Sequence, residues 1–185
     1  MRDTRGRMID AAIVELQQRG LSGMSFSDVL ARSGAARGAI YHHFPGGKTQ
    51  MVAEAAETNG RQVRGYLAAL EATTPRGVVE SFVHGIRPVV EASAAGGGCA
   101  VAAVAVGSVG ESDPLRAVAA ASFSSWADQL AERLASAGMD HNAASDLAQM
   151  LLAVLEGAHV LCRAAGSIEP FDHAARALAA LLHDE

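Results

Sequence analysis

Apolar residues recur at intervals of three and four along nearly the whole chain, the spacing that lines one side of an α-helix. Residues 4–19 place Ile9, Ala12, Ile13 and Leu16 at i, i+3, i+4 and i+7, and Gly20 ends the run. Ser25 and Asp28 then form a Ser-x-x-Asp box, in which a hydroxyl accepts from an unpaired amide at a helix start, so a short helix is predicted to about residue 33. Gly34 breaks it, and a second short helix is expected over 37–44, before Pro45-Gly46-Gly47. A long helix should follow over 48–72, with Val52, Ala55, Asn59, Val63, Tyr66 and Leu70 near its inner side.

Thr74-Pro75 restarts the chain, with proline suited to a first helical turn. Val79, Phe82, Val83, Ile86 and Val90 make the next stripe; Pro88 lies inside it and is expected to kink the helix. Ala95-Gly96-Gly97-Gly98 is a break, and a short apolar segment over 99–109 follows. Ser112-Asp113-Pro114 reads as a cap and first-turn proline opening a helix to about residue 137, with Leu115, Val118, Phe123, Trp126, Leu130 and Leu134 inward. After Gly138, a wide apolar face over 143–165 carries Leu147, Met150, Leu151, Val154, Leu155, Ala158 and Leu161. Gly166 closes that helix, and Glu169-Pro170 opens the last, with Phe171, Ala174, Leu178, Leu181 and Leu182. The expectation is an all-α chain of nine helices without strands, divided near residue 47.

Composition strengthens the helical reading, because 39 of the 185 residues are alanine, the best helix former. The net charge of −5 argues against a surface coated in nucleic acid, but its distribution is uneven. Residues 1–50 carry seven basic side chains (Arg2, Arg5, Arg7, Arg19, Arg32, Arg37 and Lys48) against four acidic ones, whereas the rest of the chain is acidic. A basic head on an acidic body is expected where one end meets phosphate. Cys99 and Cys162 stand far apart in sequence and form no metal-type spacing, so buried thiols in a reducing cytoplasm are expected. The start of the chain leads into an amphipathic helix rather than a signal peptide, and the run 99–106 is too short to span a membrane.

The informative stretch is 25–48, SFSDVLARSGAARGAIYHHFPGGK. Two short helices joined by a tight glycine-containing turn make a helix-turn-helix. Ile40 and Phe44, four residues apart, can pack on Val29 and Leu30, which leaves Arg37, Gly38, Tyr41 and His42 on the outer side. Arginine can fork onto a guanine edge or a phosphate, and a tyrosine hydroxyl reaches phosphate oxygens. Gly38 would let the backbone approach a groove, and Lys48 adds charge where a helix start already points its amides at an anion. Two short helices and a turn also occur in all-α proteins that never meet DNA.

The residues go beyond that geometry. Arg37-Gly38-Ala39-Ile40-Tyr41-His42-His43-Phe44-Pro45-Gly46-Gly47-Lys48, after Ser33-Gly34, resembles the recognition-helix signature of the TetR family of bacterial repressors. The resemblance implies a three-helix DNA-binding head over 1–47 and a body over 48–185 that dimerises and binds a small ligand. It also implies roles: Arg37 opens the recognition helix, Tyr41 clamps phosphate, His42 faces the groove and Lys48 opens the fourth helix. With Ser25, Gly38 and Ala39 these make the expected DNA-binding set. Ala36 stands where many members cap the recognition helix with Ser or Thr, and Ala39 where a hydroxyl often contacts DNA. Gly98-Cys99-Ala100-Val101-Ala102-Ala103, together with Phe44-Pro45-Gly46-Gly47-Lys48, resembles a subgroup that includes lincomycin-type and flavonoid-responsive repressors, with Ala100 replacing a common proline.

Phe82, Ile86, Val90 and Val104, with Phe123, Trp126, Met150 and Val154, bring most of the larger apolar groups of the body to successive helices. They are the expected lining of a mostly apolar effector pocket, though the same pattern describes plain core. His84, His159 and Cys162 are candidate polar anchors. Leu147, Leu151, Leu155, Leu178 and Leu182 are the expected dimer contacts, since two helices from each subunit can pair as a four-helix bundle. Enzyme readings find no support: no glycine-rich loop follows a strand, no HExxH occurs, and the seven histidines are scattered. The expectation is a cytoplasmic, homodimeric repressor of an inverted-repeat double-stranded operator, released by a small effector, with no cofactor, no metal and no membrane. The alternative is an all-α interaction or small-molecule-binding module without specific DNA binding.

Overall fold

The computed structural model describes residues 3–110 and 113–181. Among them nine helices form and no strand: α1 Thr4–Gly23, α2 Phe26–Ser33, α3 Ala39–His43, α4 Gly47–Ala68, α5 Pro75–Ala94, α6 Ala100–Gly107, α7 Pro114–Ser136, α8 His141–Ala165 and α9 Glu169–Leu181. The chain forms two compact units. One comprises the chain up to Gln62 together with Cys99–Phe123; the other comprises Val63–Gly98 and the chain from Ser124 on.

In the first unit, α1 packs against α2 and α6. Met8, Ile9, Ala12, Ile13 and Leu16 are buried, as their spacing requires. The helix does not stop at 19: Gly20 adopts φ 71°, a left-handed value that side chains with a Cβ avoid, and one further turn follows to Gly23. Ser25 caps α2, its hydroxyl accepting from the Asp28 amide and donating to Asp28 Oδ2 at 2.6 Å. Gly34 closes α2 in the left-handed conformation. The third helix is shorter than its pattern, spanning Ala39–His43, so Arg37 and Gly38 lie in the turn before it. The N-cap Gly38 offers no side-chain bond, and Ala36 supplies none in its place.

In the second unit, α5 packs on α8 and α9, and α8 on α9. Thr74 caps α5, and Pro75 occupies its first turn. The helix runs through Pro88 to Ala94 and buries Val78, Val79, Phe82, Ile86, Val90 and Ser93. Asp140 caps α8, and the amides of Ala143 and Asn142 hold its carboxyl below the usual range. Two points in the sequence pattern need correction. Tyr66, expected inward on α4, is exposed, and Leu67 is buried in its place. The long helix ends at Ala68, not 72. Ser112 lies outside the described residues, and the Leu115 amide is received by Asp113 Oδ1 at 2.9 Å.

On length and composition alone α8 could span a bilayer, with a mean hydropathy of 1.3 over its most apolar stretch. Scanning for uninterrupted apolar runs missed it because Asp146, Glu156 and Arg163 punctuate the helix. Core helices of folded domains pass the same test. Eight α8 residues, Ala144 to Cys162, are buried within the protomer.

Candidate nucleic-acid interface

The outer side of the helix-turn-helix is built on two buried anchors. Ile40 on α3 and Phe44 just after it are 1% and 0% exposed, and Val29 on α2 is fully enclosed. Helical spacing then turns Tyr41 and His42 outward, and Tyr41 is 70% exposed. The Tyr41 ring meets Phe26 edge to face, centroids 6.4 Å apart and planes at 85°. Arg37, Gly38 and His42 are exposed, whereas Ser25, Ala39 and Lys48 are half-buried. A methyl group at Gly38 would meet no protein atom within 4 Å. Packing inside the protein therefore does not require glycine there.

Charge pairing separates the basic residues of the head into two sets. Arg32 Nε bonds Glu15 Oε1 at 3.0 Å, and Arg19 Nε lies 3.1 Å from Glu15 Oε2. Glu15 is only 2% exposed, so both arginines offset the burial of its carboxylate. Arg7 donates to the Ser33 carbonyl at 3.1 Å, which ties α1 to the end of α2. Arg5 pairs with Glu54, and its guanidinium stands 5.2 Å over the Phe44 ring. Arg37 and Lys48 make no ion pair or hydrogen bond among the described residues. Arg2 lies outside them.

The matches to known proteins agree with this geometry. Residues 8–55 match the family model described as "Bacterial regulatory proteins, tetR family". Residues 75–177 match the one described as "Transcriptional regulator LmrA/YxaF-like, C-terminal domain". The HTH-type transcriptional regulator Rv0196 of Mycobacterium tuberculosis, itself uncharacterized, is 35% identical over 98% of this chain and 95% of its own. The chain belongs to the TetR family. Another relative, the HTH-type transcriptional regulator LmrA of Bacillus subtilis, is 28% identical over 97% of each chain. The fold is also that of a TetR transcriptional regulator from Legionella pneumophila, with a TM-score of 0.85 at 18% identity and 99% coverage of both chains. Like the rest of the family, this is a ligand-responsive DNA-binding regulator of transcription, and the relatives it matches are regulators, not enzymes.

The body residues fall into two groups. Phe82, Ile86, Val90 and Trp126, all in the second unit, are buried, and Val154 there is half-buried. Met150, in the same unit, is 39% exposed and sits on the outer side of α8, not in the interior. Val104, buried, and Phe123, half-buried, belong to the first unit. A cleft of about 240 Å³ lies between α5 and α9, with Val79, Val83, His84 and Ala179 in its lining. None of the eight expected effector residues lines it. Arg87 also lines it, bonding Asp172 at 2.7 Å and holding that carboxyl below its usual range.

Of the expected dimer residues, Leu151, Leu155 and Leu178 are 0%, 5% and 4% exposed within one protomer, so their side chains serve its own core. Leu147 is half-buried, and Leu182 lies outside the described residues.

Two polar features escaped the sequence reading: the buried Glu15 cluster and a buried pair, Ser93 Oγ to His159 Nδ1 at 2.6 Å. Burial pushes the His159 imidazole down to about 4. An unfolded chain takes up this proton near 6.5 and the folded one only near 4, so stability falls as pH drops through that window. Wild-type protein is expected to lose about 2–4 kcal/mol more than His159→Phe between pH 7 and 4. Denaturant midpoints across that range check it; parallel profiles for the two proteins would refute it.

Proposed function

We propose that residues 1–47 read an inverted-repeat operator as part of a homodimer, and that 48–185 dimerise and bind a small effector that releases the DNA. The observation carrying this reading is the outer face of the helix-turn-helix: Arg37 and Tyr41 exposed, Lys48 nearby, and neither cation paired inside the protein. Tyr41 and Lys48 position phosphates. Arg37 and His42 approach base edges or phosphates, Ser25 presents the start of α2, and Gly38 and Ala39 keep the backbone low in the groove. Ala39 offers no hydroxyl to a base or a phosphate, which either weakens binding or changes the preferred base. The protein acts in the cytoplasm as a repressor, in the subgroup to which the glycine-cysteine segment at 98–103 points.

Effector binding belongs to the second unit, where Phe82, Ile86, Val90 and Trp126 supply the buried apolar groups. A ligand switches the protein only by binding one separation of the two heads better than another. Duplexes selected from random sequence by the wild-type protein provide the test. Arg37→Ala or Tyr41→Ala is expected to weaken binding to the selected duplex by about 1–3 kcal/mol, and Lys48→Ala to weaken all duplexes alike. Unchanged affinity in the Arg37→Ala, Tyr41→Ala double variant would reject this interface and favour a module that does not read DNA.

A further inference from the structure

The turn that joins α3 to α4 carries two consecutive glycines, Gly46 and Gly47. Gly47 adopts φ 69°, a left-handed value that favours glycine. Gly46 is a glycine for a different reason. A Cβ there would stand 3.0 Å from Gln50 Cβ and 3.0 Å from Gln50 Oε1. The bare backbone at 46 makes room for the Gln50 side chain, which folds back over the turn and accepts from the Gly46 amide at 2.8 Å.

Gln50 is held in its turn. Its Nε2 donates to Glu54 Oε1 at 2.9 Å, one helical turn further along α4. An ionised carboxylate only accepts and a backbone amide only donates, so both neighbours demand the same orientation of the carboxamide. The other Glu54 oxygen, Oε2, pairs with Arg5 on α1, whose guanidinium also covers the Phe44 ring. The contacts therefore run from α1 through α4 to the turn between Phe44 and Lys48, all inside the first unit. Glu54 is nonetheless a carboxylate in the unit that meets DNA, where its charge works against a polyanion.

We propose that Gln50 and Glu54 are positioning residues of the DNA interface: with Arg5 they lock the glycine turn and so hold Lys48 where it meets a phosphate. This rests on the DNA reading above and adds the residues that place its contacts. Two glycines in a row leave a turn many conformations unless something outside it restrains them. The Gln50 carboxamide supplies that restraint, and the Glu54 carboxylate fixes the carboxamide. Arg5 is then a partner for Glu54 and not for phosphate.

The experiment measures affinity of the full chain for the duplex that the wild type selects from random sequence, over a series of salt concentrations, with circular dichroism of each variant. Charge alone predicts tighter binding by Glu54→Ala, because the change removes a negative group and frees Arg5. The positioning role predicts the opposite, a loss of about tenfold. Gln50→Ala changes no charge and suits a helix, so α4 should persist. It should lose a similar factor and lower the slope of log affinity against log salt by about one, as expected for one lost phosphate contact. Lys48→Ala should lower the slope equally, and the Lys48→Ala, Gln50→Ala double variant should lose little more than either alone. The Gly46 amide should exchange slowly in the wild type and quickly in Gln50→Ala. Tighter binding by Glu54→Ala, an unchanged slope in Gln50→Ala, or losses that multiply in the double variant would overturn the role and leave the DNA reading standing. A wild type that selects no duplex would remove the DNA reading, and this role with it.

Discussion

Replacing Phe44 by alanine is expected to destabilise the helix-turn-helix before any DNA contact is altered. The Phe44 ring is fully enclosed, follows the five-residue α3, and lies beneath the Arg5 guanidinium. Truncating such a ring removes its apolar burial and leaves a cavity, at a cost of about 3–5 kcal/mol. A helix of five residues has almost no intrinsic stability, so its place depends on Ile40 and Phe44 holding it down. Natural domains are stable by only about 5–15 kcal/mol, which makes the loss a large share of the total. Denaturant unfolding should show the loss, and limited proteolysis should cut near α3 in Phe44→Ala but not in Arg37→Ala, whose side chain is exposed. A Phe44→Ala protein within about 1 kcal/mol of wild type would mean that α3 is held by something else.

The helices were legible because their signals are local. Ser25 with Asp28, Gly34, Thr74-Pro75 and Gly166 mark helix ends through bonds or backbone conformations spanning a few residues, and each is found where the sequence put it. Which side of a helix faces inward was harder. On α8 apolar residues cover more than one side, so composition alone did not separate Leu151 and Leu155, which are buried, from Met150 and Leu161, which are not. Burial depends on which neighbour a helix meets, and no local pattern carries that information. Tyr66 went wrong for the same reason: at one position from Leu67 it lies about 100° around the helix, and both fit an apolar stripe.

The charge count of the head was correct, but most of the basic groups have another use. Arg5, Arg7, Arg19 and Arg32 are bonded inside the protein to Glu54, the Ser33 carbonyl, Glu15 and Asp28. Counting charge gives the balance of a segment but not its pairing. Glu15 and Arg19 stand four apart on α1, a spacing that favours such a pair, but the charge count takes no account of it. What marks Arg37 and Tyr41 is their exposure beside two buried anchors, a consequence of the spacing of Ile40 and Phe44 that the sequence did contain. The Ser93–His159 pair lies 66 residues apart in the chain, and no sequence period connects the two.

Glutamate at Met150 and Leu161 is expected to separate the dimer into folded monomers, whereas glutamate at Leu151 or Leu155 should unfold the protomer. Leu147, Met150, Val154, Gly157 and Leu161 recur along α8 at alternating intervals of three and four, the a/d spacing of helices that pair along their length. None of these five is buried within the protomer, and Met150 and Leu161 are 39% and 58% exposed. A Cβ at Gly157 would meet no atom within 4 Å, which leaves room for another helix to come close at mid-seam. Leu181 on α9, 72% exposed, extends the apolar surface. An apolar seam of this length on an otherwise core-forming helix needs a cover, and a second copy of the same seam supplies one by two-fold symmetry. Two glutamates per subunit bring four unpaired charges into that contact, enough to raise the dimer dissociation constant at least a hundredfold, about 2.7 kcal/mol. Leu151 and Leu155 face the protomer's own core, so a charge there is buried without a partner and the fold fails before the assembly does. Light scattering at micromolar concentration should show a dimer for wild type and a monomer with native circular dichroism for Met150→Glu, Leu161→Glu. A double variant that stays dimeric would place the contact elsewhere, and a wild-type monomer would remove the two-fold operator reading with it.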